Sequence, residues 1–299
     1  MPKLIIIVAA VAAVQAVLFP LPPGPYGVGL RIQDYTDNKR LDPYAPKGQS
    51  HYRRVVISAF LPVEKEKCQT EAVPYMPPLT AAQGDGQLVG TGFANDSLSS
   101  AKMQVCKLSL VEFPDGSVIK NTTFELNPTV FAQAANVRAD DASFILDMLH
   151  NPYTLAKLTA GLYGQVDPER ILMYGHSLGG VTASKAMFQD KRIKAGMNVD
   201  GWMYEPTVVS TGLDRPFLLL GTPKQYDELD SNWPEFYEEW KPKMYEMFGS
   251  IDALPLQTIT NEVLSGLADV AFNRNDTKLR NMEKFPEVSI EHQDFPKGR

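Results

Sequence analysis

The chain predicts an α/β fold with a mostly parallel central sheet covered by helices on both faces, and three observations carry that prediction. The runs beginning Ile171-Leu172-Met173-Tyr174, Ile193 to Gly201 and Arg215 to Thr222 are short and largely apolar, as strands buried on both faces must be. A helix-like stretch, Val181 to Gln189, separates the first two, and strands that alternate with helices assemble into parallel sheets. The first run leads straight into Gly175-His176-Ser177-Leu178-Gly179-Gly180, a Gly-x-Ser-x-Gly turn caught between a strand and a helix.

That context is what a nucleophile elbow requires. A turn this sharp leaves no room for a Cβ at Gly175 or Gly179, and Gly180 eases the approach of helix to strand. In return the Ser177 hydroxyl stands clear of the sheet, and the Leu178 N–H points where an oxyanion would form. A serine needs a base, and the base an orienting carboxylate. Asp200, at the carboxyl end of the next strand, is placed for that last role, following Ser177 by one helix and one strand.

The 299 residues suffice for one large α/β domain, assigned to 17–299. A hydrophobic content of 44% with 21% charged residues is that of an ordinary globular protein. The net charge of −6, with no basic stripe, argues against a nucleic-acid partner. Four histidines and two cysteines, none at metal-ligand spacing, give no reason to expect a metal or other cofactor. Residues 1–16 read as a secretory signal: Met1-Pro2-Lys3, an apolar core, and Val14-Gln15-Ala16 before a cleavage point. The apolar run is too short to span a bilayer, and Pro20, Pro22, Pro23 and Pro25 stop any helix, so no transmembrane anchor is expected. Glycosylation triplets at Asn95, Asn121 and Asn275 fit export. In an oxidising compartment Cys68 and Cys106 most simply pair, two buried free thiols being the alternative.

Along the chain, Leu30 to Tyr35 and Arg53 to Phe60 read as strands able to open a sheet antiparallel. From Cys68 to Ala101 no period is sustained. Gly84-Asp85-Gly86 and Gly90-Thr91-Gly92 therefore read as surface loop rather than a phosphate cradle. Val105 to Phe113 reads as a strand ended by the turn Pro114-Asp115-Gly116-Ser117. Ala139-Asp140-Asp141 opens a helix, its carboxylates at the positive end of the dipole rather than forming a paired-acid site. Asn232 to Trp240 and Leu254 to Asp269 read as further helices, Lys243 to Phe248 as a strand, and the residues after Asp269 as a polar tail.

The elbow, with Asp167-x-x-Arg170 before it and Asn198-Val199-Asp200-Gly201-Trp202-Met203 after it, resembles the plasma-type platelet-activating factor acetylhydrolases. Further stretches resemble their fungal secreted relatives: Gly24-Pro25-Tyr26, Leu41 to Pro46, Val55 to Pro62, Val111 to Gly116 and Val137 to Asp141. The resemblance implies an α/β-hydrolase fold and metal-independent hydrolysis of short or oxidised sn-2 acyl groups on phospholipids. It makes Ser177 the nucleophile, Asp200 the acid and Leu178 an oxyanion donor. The implied partner is a short-chain phospholipid, with peripheral contact to a lipid surface. Trp202, Met203 and Tyr204 are candidates for an acyl pocket, or for plain core.

Two departures stand out. Cys106 to Leu110 joins the Val111 stretch directly, where the family has an oxyanion loop and one crossover of the sheet. After Gly249-Ser250, where the family histidine is expected, stands Ile251-Asp252-Ala253. His176 adjoins the nucleophile, His51 and His150 precede it, and His292 alone fits the chain order. Both departures read as short deletions. The alternatives are thus a non-catalytic secreted homologue and a cutinase-like esterase.

Overall fold

The computed structural model describes residues 17–90, 94–107, 128–162, 164–203, 212–221, 244–249, 253–286 and 288–293. The signal segment, Asn121, Tyr204, the 108–117 strand and turn and the 232–240 helix lie outside them. The chain divides into two compact units: Met1–Tyr35 with Val56–Ser117 and Ala156–Gln165, and Thr36–Val55 with Val118–Leu155 and Val166–Arg299.

The first unit is built on a sheet of β1 (Leu18–Phe19), β2 (Gly27–Leu41), β3 (Tyr52–Val63), β4 (Thr70–Pro74) and β5 (Lys102–Cys106). The order is β1-β5-β2-β3, with β4 also on β5. β2 and β3 contain the two expected opening strands, longer than the apolar pattern alone implied, and continue into the second unit. The link 42–51 is too short for a parallel crossover, so they pair as a hairpin.

Between Cys68 and Ala101 the structure corrects the loop expectation. α1 (Pro78–Leu88) takes in both Gly84 and Gly86, and α2 (Ser97–Ser100) follows. Tertiary contacts override the poor propensity of two glycines. A Cβ at Gly84 would stand 2.5 Å from Leu98 Cδ1. The buried Asp85 carboxylate accepts from the Leu98 and Ser99 amides at 2.7 and 3.0 Å, fastening α2 to α1. Cys68 and Cys106 are joined by a disulfide. Gly27 makes space for it, since a Cβ there would meet Cys106 Sγ at 2.5 Å and Cys68 Sγ at 2.9 Å. Arg31 is buried in β2 and donates to the Lys157, Leu158 and Ala160 carbonyls, which supply the acceptors its charge needs.

In the second unit α3 (Pro128–His150) and the first turn of α4 (Pro152–Leu158), whose end belongs to the first unit, precede β6 (Ile171–His176), α5 (Leu178–Gln189), β7 (Ile193–Val199), β8 (Phe217–Gly221) and β9 (Met244–Gly249). α6 (Ala253–Ala268), α7 (Thr277–Arg280) and β10 (Val288–Gln293) follow. β6 to β9 are parallel, and β10 runs antiparallel along β9. The expected polar tail is therefore a sheet strand, its alternation hidden by Glu291 and His292 among Val288 and Ile290. Among the described residues β6, the strand that carries the elbow, pairs only with β7.

β8 shows why its sequence is apolar throughout. Phe217 and Leu219 face a core with Ala139, Leu146, Ala186 and Met187 from α3 and α5, while Leu218 and Leu220 face one with Ile259, Val263 and Leu267 from α6. Helices cover both faces, as an α/β fold requires.

Asp140 and Asp141 are not helix-opening residues, because α3 begins at Pro128. Asp141 sits mid-helix, buried, and accepts from Arg53 at 2.7 Å and Arg40 at 2.9 Å. That hydrogen bond holds the Arg53 guanidinium above its ordinary pKa. The dipole preference expected of the acidic pair yields to long-range partners, Arg40 and Arg53.

Candidate active site

β6 delivers the chain to the turn. Ser177 stands between β6 and α5 with φ 53° and ψ −124°, a left-handed conformation that costs a non-glycine residue about 1–3 kcal/mol. Such strain persists only where neighbours over-determine the backbone, and two ties do so here. The Ser177 amide donates to the Val199 carbonyl at 2.8 Å, and the Ser177 carbonyl accepts from the Gly180 amide at 2.9 Å. Ser177 is exposed, as a nucleophile must be.

The glycines divide their work differently from the expectation. A Cβ at Gly175 would stand 2.3 Å from the Gly179 carbonyl carbon and 2.7 Å from its Cα, both backbone atoms. A Cβ at Gly179 would meet nothing within 4 Å. Gly175 therefore needs to be glycine for space, and Gly179 is the neighbour it spares. Gly180 has a different duty: its Cβ would lie 2.0 Å from Asn198 Oδ1.

Asp200 follows β7 with φ 55°, and its amide donates to the Leu220 carbonyl at 2.8 Å. Because His176 and Val199 are register partners, Ser177 and Asp200 leave neighbouring strand ends together, one strand spacing of about 4.8 Å apart. The structure thus brings the two sequence-predicted residues to one edge of the sheet. Leu178 opens α5, where the helix start carries the positive end of the dipole.

Histidine is placed otherwise. His292 lies on β10, paired with Glu246 of β9, and the order β10-β9-β8-β7-β6 puts four strand spacings between it and the serine's strand. At about 4.8 Å each that is roughly 19 Å, against the ~3 Å a general base needs. His150 gives its Nδ1 to the Leu146 carbonyl at 2.7 Å and turns Nε2 to Glu169 at 3.2 Å. His51 Nδ1 lies 3.0 Å from the Tyr52 carbonyl. His176 is exposed at the end of β6, next to the serine.

Of the pocket candidates, Met203 is core, packed with Ala139, Leu213 and Phe217, while Trp202 is 37% exposed. Arg170 reaches over the Phe272 ring at 4.9 Å, fixing the approach to β6. Asn95 and Asn275 are exposed, as glycan acceptors must be. Sequence reasoning passed over Asn198, which is fully buried between the two turns; its signal was a polar residue inside an apolar strand.

A family model described as platelet-activating factor acetylhydrolase, isoform II, matches residues 139–232, which span the elbow, β7 and Asp200. A probable 1-alkyl-2-acetylglycerophosphocholine esterase from Arthroderma benhamiae is 28% identical over 287 residues, 74% of this chain and 69% of that protein. Among solved structures, a ferulic acid esterase from Streptomyces cinnamoneus is similar with a TM-score of 0.63 at 20% identity, over 93% of this chain and 100% of that one. At that identity the likeness speaks to the fold.

Proposed function

We propose that this chain, a member of the platelet-activating factor acetylhydrolase-like α/β-hydrolases, is a secreted serine esterase that cleaves short sn-2 acyl groups from phospholipids. One observation carries the reading: Ser177 is held at positive φ between β6 and α5, with Asp200 on the adjoining strand end. The Ser177 oxygen attacks the acyl carbonyl, and the Leu178 amide and the α5 amino terminus stabilise the oxyanion. The tetrahedral species expels the lysophospholipid alcohol, which takes up a proton, and water then releases the acid from the acyl-serine. The proton leaving Ser177 passes to solvent water and is returned to the departing alcohol, and Asp200 places negative charge beside that water's developing positive charge.

The family's base position falls at Ser250-Ile251-Asp252, where no imidazole stands, so the proposed chemistry rests on Ser177, Asp200 and the α5 amino terminus. Removal of a triad base still leaves a substantial rate over water, from oxyanion stabilisation and binding. Short sn-2 groups are inferred from the similarity to the probable 1-alkyl-2-acetylglycerophosphocholine esterase of Arthroderma benhamiae. Export is supported by the apolar 4–16 stretch, the exposed acceptors Asn95 and Asn275 and the Cys68–Cys106 bridge.

The test is substrate profiling with short sn-2 phospholipids, long-chain phospholipids and a polyester film, using wild type and Ser177→Ala. Release of the short acyl chain by wild type alone supports the reading. Preference for the polyester, or equal turnover by Ser177→Ala, overturns it.

A further inference from the structure

Asn198 is the penultimate residue of β7 and completely buried, an unusual place for an amide in a parallel strand. Its polar atoms are spent on the turn that follows. Oδ1 accepts from the Gly201 amide at 2.9 Å, and Nδ2 donates to the Gly201 carbonyl at 2.8 Å and to Met203 Sδ at 3.2 Å. One side chain therefore grips both polar groups of Gly201, the residue immediately after Asp200. Asp200 itself holds φ 55°, a left-handed conformation that aspartate reaches more readily than most non-glycine residues and that the Gly201 tie fixes in place.

The same amide touches the nucleophile's side of the site. A Cβ at Gly180 would stand 2.0 Å from Oδ1, and a Cβ at Gly201 would stand 2.6 Å from Oδ1 and 2.3 Å from the Ser177 carbonyl oxygen. Gly180, Gly201 and Asn198 form one close-packed unit beneath Ser177, and each of the two glycines leaves space the amide occupies.

We infer that Asn198 is a positioning residue that sets the distance between the Ser177 and Asp200 turns, acting through Gly201 and Gly180. It touches no substrate. The inference rests on Ser177 and Asp200 acting together as an esterase pair. An apolar residue of the same size removes the two Asn198 hydrogen bonds to the Gly201 amide and carbonyl and so loosens the turn that carries Asp200. The pair separates while the substrate pocket stays in place.

The experiment compares wild type with Asn198→Leu and with Met187→Ala, a fully buried core change further along α5. For each, the fluorophosphonate labelling rate of Ser177, kcat and KM for a short-chain ester, and the thermal midpoint are measured on folded protein. Asn198→Leu is expected to lower kcat and the labelling rate roughly 10- to 100-fold with KM little changed, while Met187→Ala lowers the midpoint and leaves both rates near wild type. Labelling of Asn198→Leu at the wild-type rate overturns the inference, as does a loss matched by Met187→Ala at equal midpoint. A wild type that takes no label at Ser177 overturns the esterase reading together with this one.

Discussion

Gly175→Ala tests the elbow at the point where its geometry is tightest. The new Cβ would lie 2.3 Å from the Gly179 carbonyl carbon and 2.4 Å from its oxygen, where ordinary contact begins at 3.4 Å, so one backbone segment must move by about 1 Å. Neither atom belongs to a flexible side chain that can swing aside. Overpacking of this kind costs about 1–3 kcal/mol of stability. A displacement of ~1 Å at a reacting group costs on the order of 100-fold in rate. Because the movement re-aims Ser177 against the α5 amino terminus, the rate falls further than stability alone explains. The assay pairs the fluorophosphonate labelling rate at Ser177 with urea unfolding of the same preparation. The expected result is a 10- to 100-fold slower label at a urea concentration where the variant is still fully folded. Wild-type labelling with an unchanged midpoint would refute the claim that the Gly175–Gly179 approach shapes the nucleophile's turn. Gly179→Ala is the internal control: its Cβ meets open space, so it retains the labelling rate.

Four further outcomes follow from the same structure. The Cys68–Cys106 bridge spans 38 residues of sequence, and loop-closure entropy makes it worth about 4 kcal/mol; Cys68→Ser with Cys106→Ser should shift the urea midpoint accordingly, and an unchanged midpoint contradicts it. Asp141→Ala leaves Arg40 and Arg53 facing each other without their shared carboxylate, a loss on the order of 3 kcal/mol read as a lowered thermal midpoint. The Arg192 hydrogen bond lowers the buried Asp190 carboxyl from 3.8 to about 2. A depressed acid stabilises the fold above its unfolded value and loses that contribution as pH falls through the folded one. Asp190→Asn should therefore cost roughly 2 kcal/mol at pH 7 and almost nothing at pH 2, and a penalty independent of pH contradicts this. With no imidazole at the family's base position, kcat/KM should climb with pH without the break near about 6.5 that a free histidine base imposes; such a break, abolished by His176→Gln, would identify His176 as the base.

Much of the second unit was legible because its signals are local. The β8 run from Phe217 to Leu220 is apolar at every position, since both parities face core. The Gly175–Gly180 turn advertises itself because no other residue type fits beside Gly179. What escaped depends on partners far away in sequence. α1 carries two glycines and no apolar period, and it is held by Asp85 reaching Leu98 and Ser99. Asp141 looked like a helix-start acid, and its pairing with Arg53, 88 positions away, has no local signature. β10 hides because Glu291 and His292 break the apolar pattern of a strand held by pairing with β9. Asn198 was visible as a polar intruder in β7, but its purpose appears only when Gly201 and Gly180 close around it.

The central claim is that the hydroxyl at Ser177 is a nucleophile supported by Asp200. Its most direct measurement is fluorophosphonate treatment of the folded chain followed by peptide mapping, in wild type, Ser177→Ala and Asp200→Asn. The account predicts a single adduct on Ser177, formed at a reduced rate in Asp200→Asn and absent in Ser177→Ala. An unlabelled wild type, or an adduct on any other residue, contradicts it.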